Sequence, residues 1–455
     1  GLELYEAKEA EGLLFADENA KDVKISLPSH TPMKVLLPEF NSIVFFEVIP
    51  GRTFHAVQEV FSKKRCRCSI QGWFHAPTRA EGLDTRASLR LLQSPSLKVD
   101  KKIEMTEIDR TDFHDPNKVR EGLRHLREYI SRVYTMVPVL TQIREQFGET
   151  GDIMLSDFLD QELAQRISDL IIKADTADKL REMDPKPPPY DAGVGGGWKA
   201  VGPCFRQRYM RYEASVQGKH ERRDMRVVKG ESHKEEVGRV LEHIRKEVMG
   251  SQAFTRLLEW VTGIPAPVRW KGEVRRFRPG LDYTVGHYGG LVQEGEAMLD
   301  VCLCFVDETT TSTQLRSQRK AEEKDDNISA EQESDKRRRV ENRWESDDYG
   351  GFQAFVTVDK STEGDDAEAY VEGTPDPPSS DGTRGQDTLS ASAANNCLRV
   401  TLRRPGHMRF IRYVASGAPG SRWDVGCEYA LDALMLKEGE ERCEPDVKQV
   451  SKKET

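Results

Sequence analysis

Two regions with strand-like patterns flank a region with helical periodicity, and this arrangement limits the fold more than any other feature of the sequence. The first β region runs from Gly1 to about Pro77, and the second from Val268 to about Leu436. Short apolar runs in both, such as LELY, DVKISL, SIVFFEV, FHAVQEV and CRCSIQGWF in the first, are bounded by Pro, Gly, Asn and charged turns. The pattern predicts a mainly β protein with flanking α-helices.

The region between them carries the three- and four-residue spacing of amphipathic helices. The spacing predicts helices over Lys118–Gln146, Asp160–Ala174 and His233–Met249, the last continuing into Ala253–Thr262. Ser156-Asp157 precedes the second helix as a candidate cap. Proline and glycine make Met183–Gly197 a predicted loop.

Composition limits the partners of this chain of 455 residues, which is long enough for two or three domains. Its formal net charge of −9 argues against nucleic-acid binding, which needs clustered Lys and Arg against the phosphates. No apolar run reaches the roughly 20 residues that span a bilayer. We therefore expect neither a membrane segment nor direct contact with nucleic acid.

Eight cysteines occur without a CxxC pair, so a structural zinc site is not predicted. Cys66 and Cys68, and likewise Cys302 and Cys304, are one residue apart in strand-like runs, which places both thiols of a pair on one face. We expect these thiols to be buried and reduced, as in proteins of a reducing compartment. The sequence therefore predicts an intracellular protein.

Two low-complexity inserts interrupt the second β region, at 307–348 and 358–395. The first is dense in Glu, Lys, Arg and Ser, and the second in Asp, Gly, Ser and Pro. Neither can bury enough apolar surface to offset its ordering entropy, so both are predicted to be disordered loops. Basic clusters at Arg316–Lys320 and Lys336–Arg339 are either a solvated charge run or a bipartite nuclear-import signal.

The segment Thr53–Trp73 holds the residues with the clearest chemistry. It places His55 at the head of one predicted strand and Arg67 near the head of the next. A neutral imidazole binds first-row metals, and a guanidinium grips a carboxylate with two parallel hydrogen bonds. Alternatively, His55 is an ordinary strand histidine and Arg67 a surface partner of Glu59. We favour the first interpretation because the neighbours of Arg67 alternate with apolar or small residues, which turns its guanidinium inward.

Residues that follow Arg67 extend this prediction. Ser69 lies two residues on, on the same face of the predicted strand, and would add a hydrogen bond to the bound carboxylate. Trp73 and Phe74 are predicted to pack in the core, and His75 to be exposed.

The two β regions also share a degenerate internal repeat. The matching segments are Gly1–Tyr5 with Gly351–Phe355, Phe54–Val60 with Met408–Val414, and the run from Arg67 towards Phe74 with Arg422–Tyr429. In this register Arg409 replaces His55. Where an iron-binding copy would carry His-x-Asp, the second copy reads His287-Tyr288-Gly289, so we expect it to hold no iron, and Tyr283 and His287 to fill a core. The first copy starts after the equivalent strand, which predicts one and a half barrels.

These segments resemble the iron- and 2-oxoglutarate-dependent prolyl 3-hydroxylases of the ribosomal-protein type. The resemblance is carried by FHAVQEV with Arg67 twelve positions after His55, SIQGWFH at Ser69–His75, RRFRPGLDYT at Arg275–Thr284, WESDDYGGF at Trp344–Phe352 and RWDVGCEYAL at Arg422–Leu431. In that family a catalytic double-stranded β-helix precedes a metal-free one. The resemblance implies tandem double-stranded β-helix (jelly-roll) domains, the first incomplete at its N-terminus.

The resemblance also implies an activity, hydroxylation of a prolyl residue at carbon 3 in a protein of the small ribosomal subunit, in the cytoplasm and nucleus. The reagents would be Fe(II), 2-oxoglutarate, O2 and ascorbate. His55 would be the distal iron ligand, while Arg67 and Ser69 would hold the far carboxylate of 2-oxoglutarate. The other two iron ligands have no counterpart in this chain, and His233-Lys234-Glu235, in a charged helix, is not expected to replace them. The activity is therefore expected of the parent protein, and this chain by itself is expected to bind iron weakly or not at all.

The same reasoning divides the chain into regions. Residues 1–100 are assigned to the end of the catalytic domain, 101–265 to a helical connecting region, 266–440 to the second β-helix domain with its inserts, and 441–455 to a tail. A second hypothesis is a non-catalytic scaffold, in which the acidic loops of the second barrel bind a basic partner such as a ribosomal protein.

Overall fold

The fold is described by a computed structural model that covers residues 1–9, 26–49, 51–61, 66–75, 77, 103–181, 187–214, 228, 230–286, 292, 296–308, 344, 349–357 and 388–431. These residues confirm a mainly β protein with helices. None of the helices in these ranges combines the length and the hydropathy that crossing a bilayer requires. The His287 segment, both basic clusters and the tail at 441–455 lie outside these residues.

Strands of the N-terminal region form two small antiparallel sheets. In the first, β1 (Leu2–Tyr5) lies between β4 (Lys34–Leu36) and β5 (Phe54–Val57). In the second, β2 (Ala7–Glu9) pairs with β3 (Ser26–Pro28).

Two strands predicted in this region are wrong. SIVFFEV and CRCSIQGWF have no strand pairing in the described residues, and FHAVQEV is a strand only over Phe54–Val57. Their large apolar side chains are exposed: Phe45 to 69%, Trp73 to 73% and Phe74 to 91%. β-propensity reflects packing on a half-buried sheet, and these segments pack on no such surface.

A large antiparallel sheet dominates the rest of the molecule. Its main path runs β11-β9-β10-β17-β12-β15-β7, with β6 beside β10 and β8 beside β9. The strands are β6 (Thr106–Glu107), β7 (Asp152–Leu155), β8 (Trp198–Val201), β9 (Gln207–Tyr212), β10 (Arg269–Phe277), β11 (Tyr283–Thr284), β12 (Ala297–Phe305), β15 (Cys397–Arg403) and β17 (Arg422–Leu431). Since β6 to β9 come from region 101–265, that region is built into the sheet instead of connecting two domains.

A small sheet faces the large one. Its order is β14 (Thr388–Ala391), β13 (Gln353–Thr357) and β16 (His407–Ile411). Residues buried between the two sheets form an apolar cluster that includes Tyr209, Phe277, Trp344 and Ile411. The prediction of a loop over 358–395 is wrong at its end, because β14 pairs with β13 over four residues.

Five α-helices among the described residues cover the other face of the large sheet. They are α1 (Pro116–Leu126), α2 (Val137–Thr150), α3 (Gln161–Ala177), α4 (His233–His243) and α5 (Gln252–Thr262). The single helix predicted over Lys118–Gln146 is two helices, because Pro138 cannot continue a helix and instead starts α2 after a 3-10 turn at Arg132–Thr135. Asp160 caps α3 by accepting from the backbone N–H of Glu162, so the predicted cap at Ser156-Asp157 is wrong. A π-helix at Ile244–Met249 continues α4.

Strand β17 shows how the two faces of the large sheet differ. Trp423, Val425 and Tyr429 belong to the core under the helices. The alternate residues Arg422, Asp424 and Glu428 point between the two sheets, where they meet other charged side chains. Because side chains alternate along a strand, one sequence supplies both an apolar core and a polar interior. We call the space between the sheets the polar interior.

Candidate functional site

His55 lies on β5, opposite Leu4 of β1. Its side chain is exposed, and its ring packs edge-on against Phe46 with the ring centroids 4.9 Å apart. The Nδ1 atom lies 3.2 Å from the carbonyl oxygen of Thr53. Since a carbonyl oxygen only accepts hydrogen bonds, Nδ1 carries the proton in this contact, and Nε2 keeps the lone pair that binds a metal.

Arg67 lies beside the start of β1. Burial, and then the nearby Arg67 guanidinium, lower the pKa of the Gly1 amino group. Gly1 and Leu4, the partner of His55, are three residues apart, which is roughly 10 Å along a strand. His55 and Arg67 are therefore associated with the same short sheet, at different points along β1.

The other side chains predicted around Arg67 are exposed. The exposed side chains are those of Ser69, Trp73, Phe74 and His75. Exposure was predicted only for His75. Ser69 shares a face with Arg67 only if residues 66–75 form a strand, and they do not. Burial of Trp73 and Phe74 was therefore wrongly predicted.

The two cysteine pairs differ in burial. Cys66 and Cys68 are exposed, contrary to prediction, because the described residues around them form no strand. Cys302 and Cys304 are buried on β12, as predicted.

Iron would need more ligands than His55. Within the described ranges, no group of three or more His, Cys, Asp or Glu side chains could hold a metal ion. His233 is exposed, and Glu235 accepts hydrogen bonds from the backbone N–H and the hydroxyl of Ser232 at the start of α4. His55 thus fits a metal ligand by its tautomer, while the described residues do not complete a ligand set around it.

In the second β region, the position that corresponds to His55 in the repeat is occupied by Arg409. Arg409 Nη1 lies 2.5 Å from Asp300 Oδ1, and its Nη2 lies 2.8 Å from Glu428 Oε1. Arg403 shares both carboxylates, at 2.7 Å and 3.3 Å. The carboxylates are therefore paired with arginines, and the polar interior keeps a cavity of only ≈ 140 Å³ beside Arg409 and Glu428.

The strands of the repeat pair alike in both regions, with one difference in register. Leu4 lies opposite His55, whereas Phe355, and not Ala354, lies opposite Arg409. The sequence match aligns Leu4 with Ala354, so one ladder is shifted by one residue relative to the other. Such a shift turns side chains to the opposite face, so Arg409 matches His55 in sequence and not in pairing.

The motif RRFRPGLDYT has a structural role that sequence reasoning missed. Arg276 pairs with Asp175 at 2.7 Å and with Asp178 at 2.6 Å. Arg278 pairs with Asp282 through Nε at 2.8 Å and Nη2 at 3.0 Å, and also donates to the Tyr190 and Ala192 carbonyls. The Arg278–Asp282 spacing of four residues was a visible signal, whereas the partners of Arg276 lie about a hundred residues away. Tyr283, predicted to fill a core, is partly buried on β11 and donates to the Cys204 carbonyl.

A buried carboxylate joins the N-terminal sheet to region 101–265. Glu3, 5% exposed, accepts hydrogen bonds from the hydroxyls of Tyr5 and Tyr190. Arg208 donates to the Tyr5 hydroxyl at 2.9 Å and lies over the Tyr190 ring at 4.8 Å. The N-terminal strands are therefore packed through polar contacts onto β9 and the segment around Tyr190, which belong to region 101–265.

Comparison with protein families assigns the class. Residues 14–75 match the 2OG-Fe(II) oxygenase superfamily, which includes the segment with His55 and Arg67. Residues 121–436 match the family described as oxoglutarate and iron-dependent oxygenase degradation C-term. The chain belongs to this family. Fe(II), 2-oxoglutarate and O2 are accordingly the reagents of the oxygenase class to which its N-terminal segment is assigned.

Individual relatives agree with this assignment. The chain is 28% identical over 412 residues to prolyl 3,4-dihydroxylase OGFOD1 of Ostreococcus tauri, covering 89% of this chain and 67% of that protein. It is 35% identical over 140 residues to prolyl 3-hydroxylase OGFOD1 of Xenopus laevis, covering 30% of this chain and 22% of that protein. A Pseudomonas putida prolyl-4-hydroxylase structure aligns with 65% of this chain and all of its own at 10% identity, with a TM-score of 0.30, too low to define the fold.

Proposed function

We propose that the protein is a 2-oxoglutarate- and Fe(II)-dependent dioxygenase that hydroxylates a prolyl residue at carbon 3. The observation that carries the proposal is the contact of His55 Nδ1 with the Thr53 carbonyl oxygen at 3.2 Å, which leaves Nε2 on the side available to a metal. Family membership and the activities named for the Ostreococcus and Xenopus relatives support it.

In this proposal Arg67 holds the far carboxylate of 2-oxoglutarate. Arg67 is half-buried, so its charge is less screened than that of a surface arginine. A planar guanidinium binds a carboxylate with two parallel hydrogen bonds. Arg67 is close enough to Gly1 to lower the pKa of its amino group, whereas His55 lies opposite Leu4 on the same strand.

We also propose that both β regions are double-stranded β-helices. The antiparallel large and small sheets of the second region, with an apolar cluster between them, support this for the second domain. The β4-β1-β5 sheet would be part of the first domain. The repeat supports the tandem arrangement, since β1 with β5 and β13 with β16 pair in the same antiparallel sense.

The proposed substrate is a protein of the small ribosomal subunit, and the proposed location of the reaction is the cytoplasm and nucleus. Such proteins are basic, and the net charge of −9 favours their approach to this chain over a wide range of orientations. Ascorbate would be the reductant that keeps the metal ferrous.

The proposal is tested by supplying the protein with Fe(II), 2-oxoglutarate, ascorbate and the separated proteins of the small ribosomal subunit. We expect one protein to gain one oxygen atom, derived from labelled O2 and located on a proline by peptide fragmentation. Succinate should form in equal amount. The variant His55→Ala should incorporate no oxygen, and equal incorporation by this variant would reject the role of His55.

A non-catalytic scaffold is the second candidate, favoured by the ion pairs that occupy the polar interior. It predicts that the protein retains a basic ribosomal protein without Fe(II) or 2-oxoglutarate, and that no oxygen is transferred under any of the conditions above. Oxygen transfer to a proline would exclude this candidate as the sole function.

A further inference from the structure

Glu59 connects the segment that carries His55 to the second region. Its carboxylate accepts hydrogen bonds from the backbone N–H of Ser416 at 2.8 Å, the Ser416 hydroxyl at 2.8 Å and the Tyr413 hydroxyl at 3.1 Å. We call Glu59, Tyr413 and Ser416 the Glu59 anchor. A carboxylate that accepts several hydrogen bonds fixes its segment more strongly than neutral contacts do.

The second region holds its side of the Glu59 anchor rigidly. Val414 donates to the Asp282 carbonyl at 3.1 Å, its own carbonyl accepts from Gly280, and Ala415 donates to the Tyr349 carbonyl. Gly350 has a φ of 62°, and a Cβ there would lie 1.9 Å from the Tyr413 carbonyl oxygen. The loop that binds Glu59 is therefore fixed by backbone contacts on both sides.

Neighbours of Glu59 add contacts to the same surface. Gln58 donates through Nε2 to the Tyr190 hydroxyl at 3.3 Å, and its backbone N–H donates to the Gly1 carbonyl. The Phe61 ring packs so closely on Gly280 that a Cβ there would lie 2.6 Å from it. Three side chains within residues 58–61 thus attach the end of the His55 strand to the rest of the molecule, Glu59 and Phe61 to the second β region and Gln58 to Tyr190.

Burial, and then the negative charge of Glu59, raise the pKa of Tyr413 well above its ordinary value. The phenol of Tyr413 is therefore a hydrogen-bond donor to Glu59.

We propose that Glu59 is a positioning residue for the oxygenase site. His55 lies four residues before Glu59 and Arg67 eight residues after it, so the Glu59 anchor lies between them along the chain. The second region would then serve the first by holding the His55–Arg67 segment in place. This inference rests on the proposed function, because it gives the segment a catalytic purpose.

The experiment compares Glu59→Ala and Ser416→Ala with the unsubstituted protein by amide hydrogen exchange and by kinetics. We expect exchange over residues 54–61 and 411–417 to accelerate about tenfold, while exchange in α5 stays unchanged. In the same preparations the apparent KM for 2-oxoglutarate should rise several-fold more than kcat falls. The control is Glu39→Gln, at an exposed glutamate of the same region, which should change neither the exchange rates nor the apparent KM.

The possible outcomes distinguish failure of the Glu59 anchor from failure of the proposed activity. Unchanged exchange over 54–61, or equal acceleration in α5, overturns the proposal because the contact would be dispensable or merely global in its effect. Faster exchange with an unchanged KM also overturns it, since the anchor would not position the site. If the unsubstituted protein shows no turnover, the proposed function fails, and the exchange measurement alone still decides whether Glu59 fixes the segment.

Discussion

Arg275 and Asp424 lie directly opposite each other on β10 and β17, with Arg275 Nε 2.7 Å from Asp424 Oδ1. The second oxygen of Asp424 accepts from Arg422 Nε at 3.1 Å. All three side chains are buried. Removing two charges from water is costly, and their attraction repays it only while each keeps its partner. The polar interior is therefore held together by charges that depend on one another.

Replacing Asp424 with Asn should destabilise the protein by about 3–5 kcal/mol, because it removes the closest counter-charge of two buried guanidiniums and leaves Arg275 only the longer contact with Glu273, at 3.8 Å. Urea unfolding followed by circular dichroism measures the change in the free energy of unfolding. The control is Asp191→Asn, at an exposed position, which should change that free energy by no more than about 0.5 kcal/mol. Equal losses in both variants would show that Arg275 and Arg422 need no buried counter-ion.

The same carboxylate predicts how stability depends on pH. Burial alone would raise the pKa of Asp424, but the adjacent Arg275 and Arg422 guanidiniums outweigh it and hold the pKa below its ordinary value of 3.8. Arg409 and its basic neighbours likewise lower the pKa of Glu428 despite its burial. Because the unfolded chain takes up these protons first, the stabilisation is present above about pH 4 and is lost as the pH falls through the folded-state pKa values.

Urea unfolding at pH 7, 5, 4 and 3 measures this dependence. We expect a nearly constant contribution from Asp424 between pH 7 and 5 and a steep loss of stability below about pH 4. Asp424→Asn should lose less stability over the acid range, since one of the titrating groups is gone. Parallel curves for the two proteins would contradict the assignment of a lowered pKa to Asp424.

Parts of the fold could be predicted because they follow from local pattern. The alternation of Arg422, Asp424 and Glu428 with Trp423 and other apolar residues is visible in the sequence and gives β17 its two faces. Two strands were wrongly predicted in the first β region, because strand propensity does not tell whether a partner strand is available. SIVFFEV has the composition of a strand, and Phe45 is nonetheless exposed.

The residues of the candidate site could likewise be predicted only in part. His55 and Arg67 could be found from residue type and spacing, and the strand under His55 is confirmed. The contact of Glu59 with Ser416 joins residues 357 positions apart, and no local pattern encodes it. From sequence alone, Glu59 is only a candidate surface partner of Arg67, because the two residues lie close together along the chain.

Arg67 should be sensitive to a conservative change. Lysine keeps the charge but offers no planar pair of donors, so Arg67→Lys should raise the apparent KM for 2-oxoglutarate about tenfold or more, equivalent to about 1.4 kcal/mol. Steady-state turnover at varied 2-oxoglutarate measures this. Arg52→Lys, at an exposed position of the same region, is the control and should leave KM unchanged. An unaltered KM in Arg67→Lys would reject the carboxylate-binding role.

The cysteines should differ in reactivity according to burial. Burial raises the pKa of Cys397 and of Cys427 to about 12, whereas Cys66 and Cys68 are exposed. Because the thiolate is the nucleophile, iodoacetamide at pH 8 should alkylate Cys66 and Cys68 in the native protein and spare Cys397 and Cys427 until urea unfolds it. Peptide mapping by mass spectrometry measures each site, and the unfolded protein provides the reference rate. Native labelling of Cys427 as fast as that of Cys68 would show that the core around β17 opens without unfolding, which its pairing with both β10 and β12 argues against.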